Sequence, residues 1–226
     1  MVRFINGSHL SQFMTLHSAA VYFDDLQRPS GYVLGTDSNY KVKESDTLET
    51  LASGNTQKAF IGKNHIGLVS GEFKLESSDF LSNVSGLSAF FEDIEDGSNF
   101  SDVDLLRRSS YRLLVAKRSD DAINLFSISN IGRESGQEHI AISLHQIIKR
   151  DHNTNKKNQL IWYSPCMPGY LVLGSDVPFS FDKAVDFNTK LLSQIPPNIL
   201  EVVGNDYEPG PTHLYNVGFD GIRKIN

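Results

Sequence analysis

The sequence predicts an α+β fold in which antiparallel sheets are flanked by helices. Two observations carry it. Short apolar, β-branched runs recur in pairs around turns rich in Asp, Pro, Gly and Ser, the pattern of hairpins. Two other segments repeat their apolar residues every three or four positions, as one face of a helix does. A parallel doubly wound fold would alternate strand and helix strictly, and this chain does not.

The elements follow in order. Ser18 to Phe23 (SAAVYF) reads as a strand, Asp24 to Gly31 as a turn with paired Asp, then Pro and Gly, and Tyr32 to Thr36 (YVLGT) as the returning strand. Ala59 to Ile61 and Ile66 to Val69 make a second pair around Gly62-Lys63-Asn64-His65, with Ser70 and Gly71 as a tight closing turn. The period then changes. Phe80, Val84, Leu87, Phe91 and Ile94 are spaced 4, 3, 4, 3, which predicts a helix capped by Ser77 or Ser78 and ended by Gly97. Tyr111 to Ala116 and Ala122 to Ile128 form a hairpin around Ser119-Asp120-Asp121. His139 to Ile148 fits both periods: Ile140, Ile142 and Leu144 alternate like a strand, whereas Ile140, Leu144, Ile147 and Ile148 fit a helix. Lys149 to Gln159 (KRDHNTNKKNQ) is a solvated loop. Leu160 to Tyr163 and Tyr170 to Leu173 are strands around a Pro-Cys-Met-Pro-Gly turn. Phe181, Ala184, Val185, Leu191, Leu192 and Ile195 mark a second helix, capped by Ser180 and stopped by Pro196-Pro197. Ile199 to Val203 and Leu214 to Val217 close the chain as strands.

Composition narrows the function. The 226 residues suit one domain or two small ones. Lys plus Arg is 21 and Asp plus Glu is 27, a net charge of −6, which argues against a nucleic-acid partner. Cys166 is the single cysteine, so no internal disulfide framework or Cys-rich zinc site exists. No run approaches the roughly 18 apolar residues that span a bilayer. In MVRFINGSHLSQFM, Asn6, Ser8, His9, Ser11 and Gln12 break any apolar region, unlike a secretory signal. The expectation is a soluble, cytoplasmic protein with no membrane partner and no cofactor. Gly67 to Gly71 lacks the Lys-Ser/Thr of a phosphate loop.

The most informative pattern lies between Thr15 and Gly71. Thr15 opens the first strand (TLHSAAVYF), and the second runs into Gly35-Thr36-Asp37-Ser38. After a polar excursion comes Lys58-Ala-Phe-Ile-Gly-Lys-Asn-His-Ile-Gly-Leu-Val-Ser-Gly71, and then the helix over Phe80 to Ile94. The Leu113 to Ile128 hairpin continues the order. This succession resembles the proteasome-type N-terminal-nucleophile hydrolases over about the first 130 residues, and only weakly over 135–226.

The resemblance implies a four-layer αββα sandwich of two antiparallel sheets flanked by helices. It divides the chain into an extension or propeptide, 1–14, and a single domain, 15–226. It implies assembly into a homo- or hetero-oligomeric ring and a peptide substrate. By motif position Thr15 would be the nucleophile, activated by its own α-amine once 1–14 is removed. Lys58 would ease proton transfer and Asp37 would hold Lys58, although counting back from Gly71 lands equally on Gln57. Each residue has an ordinary alternative. Thr15 can be a strand threonine, Asp37 a turn aspartate capping backbone amides, and Lys58 a solvated strand-end lysine. Two departures from the family are the longer turn at Asp24 to Gly31 and Met14, where the family commonly has Gly.

Other candidates carry less. Glu138, His139, His145, Asp151 and His152 form no compact ligand motif, so no metal is expected. Cys166 has no identifiable partner base, and Trp162 and Tyr163 read as core or interface. Glu92, Asp93, Glu95 and Asp96 read as a solvated helix end. The expected function is a divergent proteasome-like subunit, non-catalytic or atypical. Alternatives are a threonine-type peptidase or amidohydrolase with Thr15 as nucleophile, and an unrelated α+β binding protein.

Overall fold

A computed structural model describes residues 9–13, 15–44, 50–55, 58–75, 110–131, 139–150, 159–164, 169–173, 178–194 and 210–225. The predicted helix over Phe80 to Ile94, the acidic run 92–96, Cys166 and the predicted strand at Ile199 to Val203 lie outside them. The strands fall into two antiparallel sheets.

The smaller sheet contains β2 (Thr15–Phe23), β3 (Pro29–Asp37), β11 (Gln159–Ser164), β12 (Gly169–Leu173), β13 (Thr212–Gly218) and β14 (Gly221–Lys224). Their order is β12-β11-β2-β3-β13-β14, so the expected first hairpin sits at its centre. The larger sheet contains β1 (His9–Phe13), β4 (Asn39–Glu44), β5 (Thr50–Asn55), β6 (Ala59–Ile61), β7 (His65–Leu75), β8 (Ser110–Arg118), β9 (Ala122–Ile131) and β10 (His139–Lys149). Their order is β10-β9-β8-β7-β1-β4-β5, with β6 pairing β7.

Side chains alternate between faces along a strand, and the apolar residues follow. Ala19, Val21, Tyr32, Leu34, Tyr215 and Val217 of the smaller sheet share one buried cluster with Ile66, Leu68, Leu114, Ala116, Ile123 and Leu125 of the larger. The sheets therefore pack face to face. The Tyr32 hydroxyl donates to Gln146 Oε1 (3.0 Å) across the interface. On the other face of the smaller sheet, Ala20 and Val33 pack against α1 (Phe181–Ser193). This helix starts as expected at Ser180, whose side chain accepts from the Lys183 amide. It buries Ala184, Asn188, Leu191 and Leu192. Gly35 allows the close approach, since a Cβ there would lie 2.6 Å from Leu192 Cδ1 and 2.7 Å from Ser18 Oγ.

Several expectations need correction. Ser70 and Gly71 form no turn. They lie inside β7, because the strand continues to pair with β8 as far as Glu72 and with β1 as far as Leu75. The ambiguous His139 segment is a strand, paired with β9 through a bulge between Leu144 and Gln146. The bulge turns alternation into the mixed period read from the sequence. The polar excursion after Asp37 is a hairpin, β4 with β5. The extension 1–14 contains a strand: β1 pairs β4 on one side and β7 on the other.

Candidate functional site

The chain leaves the larger sheet at Phe13 and enters the smaller one at Thr15, so the junction lies where the two sheets meet. Thr15 pairs Ser164 through the backbone. The amide of the next residue, Leu16, donates to Asp37 Oδ1 (3.2 Å) at the end of the neighbouring strand. Asp37 Oδ2 accepts from Lys58 Nζ at 3.0 Å. It also accepts the Asn39 amide (3.1 Å), which ties it to the start of β4. The side chains of Lys58 and Asp37 are 1% and 0% exposed. Lys58 sits just before β6, and its carbonyl accepts the Val69 amide (2.8 Å), which anchors it to β7.

Lys58 is thus no solvated strand-end lysine, because the sandwich closes over it. Asp37 is both a cap of backbone amides and the partner of an ammonium. The alternative count to Gln57 falls outside the described residues, as does the side chain of Thr15. The structure brings Asp37, Lys58 and the backbone beside Thr15 together.

Burial dominates the electrostatics. It pushes the Asp37 carboxyl up, against the Lys58 charge and the hydrogen bonds it accepts. It pushes the Lys58 ammonium down, against the attraction of Asp37. Both shifts bring the proton affinities of the two groups closer together than in water. A buried ion pair is rarely retained for stability alone, since desolvation offsets much of its attraction.

The sequence reading missed two histidines. His17, Thr36 and His213 pair side by side across β2, β3 and β13, on the face turned to the larger sheet. Thr36 Oγ1 lies 3.1 Å from both the Asp37 carbonyl and His17 Nδ1, so one hydroxyl bridges the strand end and the imidazole. His17 Nε2 has no hydrogen-bond partner among the described residues. Burial, then the Lys58 charge, holds His17 well below its usual pKa. His213 is lowered by burial and by the charges of Lys224 and Lys58, against Asp37. The signal was available: strand alternation puts His17 on the face of Ala19 and Val21.

Of the metal candidates, His145 Nε2 bonds Ser127 Oγ (2.9 Å) instead. No group of three or more His, Cys, Asp or Glu among the described residues could hold a metal ion. No described helix is long and apolar enough to cross a membrane. No protein-family model and no curated protein matches the chain.

Proposed function

We propose that the chain is the precursor of a divergent proteasome-type N-terminal-nucleophile amide hydrolase, with Thr15 as nucleophile after scission of the Met14–Thr15 bond. The observation that carries this reading is the buried Lys58 and Asp37 pair, bonded to the amide of Leu16. In the proposed step, the Thr15 hydroxyl gives its proton to the freed α-amine as Oγ attacks an amide carbonyl carbon. The leaving amine takes the proton, and water then hydrolyses the ester. Lys58 lowers the cost of charge near Oγ, and Asp37 fixes Lys58. The fold that goes with this is the four-layer αββα sandwich. A layer beyond the larger sheet is supported by Val69, Leu113 and Ile128, which pair across β7, β8 and β9 and are buried on the face away from the smaller sheet.

A second reading is a non-catalytic subunit of a homo- or hetero-oligomeric ring that keeps its N-terminal segment. It is favoured by β1, which joins β4 to β7 in the larger sheet and would be lost with 1–14. Intact mass and turnover of fluorogenic peptides separate the two. Loss of Met1 to Met14, abolished in Thr15→Ala and Lys58→Ala, supports the hydrolase. A stable full-length chain that leaves peptides uncut supports the subunit. Scission that persists in Thr15→Ala refutes the nucleophile.

A further inference from the structure

At the far end of the smaller sheet, the β2–β3 turn, the end of β10 and the β13–β14 turn enclose a cleft of about 580 Å³. The nine residues of β3 separate it from Asp37 by on the order of 25 Å. Its walls are fixed by bonds within the protein. Asp24 Oδ1 accepts the amides of Leu26 (2.9 Å) and Arg28 (2.8 Å), and Oδ2 accepts Arg28 Nε (2.8 Å), so this carboxylate and guanidinium satisfy one another. Arg118 Nη2 donates to the Phe219 carbonyl (2.6 Å) and Nη1 to Asn64 (3.0 Å), which pins the β13–β14 turn. Tyr22 seats against Gly31, where a Cβ would stand 2.6 Å from its hydroxyl oxygen.

Arg150 differs from these groups. Its guanidinium lies 5.0 Å from the Phe219 ring centroid. Its nearest carboxylate among the described residues, Asp220, is 3.8 Å away and fully exposed, too far for a hydrogen bond. Its side chain makes no hydrogen bond among the described residues, while its amide is held by the Asp121 carbonyl (2.9 Å). It is a half-exposed cation, held over a ring and loosely paired with Asp220, whose donors make no hydrogen bond among the described residues.

We propose that this cleft binds a small organic monocarboxylate with an apolar body, anchored on Arg150. A carboxylate matches the two-donor fork of a guanidinium held in place by a ring. The lining favours one negative charge over two, since Arg28 and Arg150 are offset by Asp24 and Asp220 and a dianion would face two carboxylates with no surplus of positive charge. The rings of Tyr22 and Phe219 line the same space and suit an apolar body. The volume is that of an ordinary small-molecule site.

The test is calorimetric titration of the full-length protein with benzoate, run beside benzylamine and inorganic phosphate. Saturable benzoate binding is expected, weakened about tenfold or more in both Arg150→Gln and Arg150→Lys, since lysine keeps the charge but loses the fork. Asp220→Asn, which removes the competing anion at an exposed position, is expected to tighten binding several-fold. Thr15→Ala leaves it unchanged, which separates this site from the proposed nucleophile. The proposal is overturned if benzoate does not saturate or if Arg150→Gln binds like the parent chain. It is also overturned if benzylamine or phosphate binds as tightly, or if Asp220→Asn binds more weakly. Melting curves of the variants confirm that the fold is kept.

Discussion

Asp37 and Lys58 define a stability test at the level of single residues. Asp37→Asn removes the carboxylate that faces the buried Lys58 ammonium, a loss of about 3–5 kcal/mol for a broken buried pair. Replacing both groups with apolar residues, Asp37→Leu with Lys58→Met, recovers part of that loss, because neither charge then needs desolvating, while the Leu16 and Asn39 amides lose their acceptor. Urea denaturation reads both variants. A double variant as unstable as the single one would mean that the pair and the amides bonded to Asp37 hold the fold together. His17 adds a pH dependence. It stays neutral in the fold, whereas the unfolded chain takes up a proton near pH 6.5. The unfolded state therefore binds more protons below that pH, and stability falls as the pH drops from about 6.5. His17→Gln flattens the decline, by at most about 1.4 kcal/mol per pH unit. His145 and His213 are also depressed by burial, so part of the slope remains. Chemical denaturation at a series of pH values measures it.

Among the elements, α1 is tied to the sheet by a polar group in an apolar seam. Asn188 Nδ2 donates to the carbonyls of Val33 (3.1 Å) and Ala184 (2.8 Å), and its Oδ1 accepts from the Ser18 hydroxyl. Asn188→Leu strands that hydroxyl in a buried site and costs about 1–3 kcal/mol. Adding Ser18→Ala restores part of the loss, which a double-mutant cycle would register as coupling. The legibility of the elements follows the same division between apolar and polar. The central hairpin could be read because SAAVYF and YVLGT are buried on both faces. The strands β4 (NYKVKE), β5 (TLASGN) and β14 (GIRK) could not, since their composition is that of loops and their strand character shows only in the backbone pairing. β1 (HLSQF) was hidden for the same reason. Asp37 was legible as a strand-end residue in a recognisable order. The burial of Lys58 was not, because it comes from the facing sheet and not from its neighbours in sequence. His17 and His213 needed the cross-strand register to appear as a pair.

Over the whole molecule, the centre of the larger sheet, where β7, β8 and β9 pair, is buried on both sides. Leu114 joins the core between the sheets, while Leu113, 0% exposed, faces the other way. Truncation of either to Ala is expected to cost about 2–5 kcal/mol. A sheet with one wet face would lose stability only at Leu114, so comparing the two variants by denaturation tests for the additional layer. The place of β1 has one more consequence. While the chain is intact, the segment before Thr15 is held to β4 and β7 at an effective concentration set by the chain itself and not by dilution. A cut at Met14–Thr15 would change it from part of the polymer into a dissociable ligand. The stability of the cut protein would then depend on its own concentration, falling on dilution or dialysis and rising with added leader peptide. The intact chain would show no such dependence.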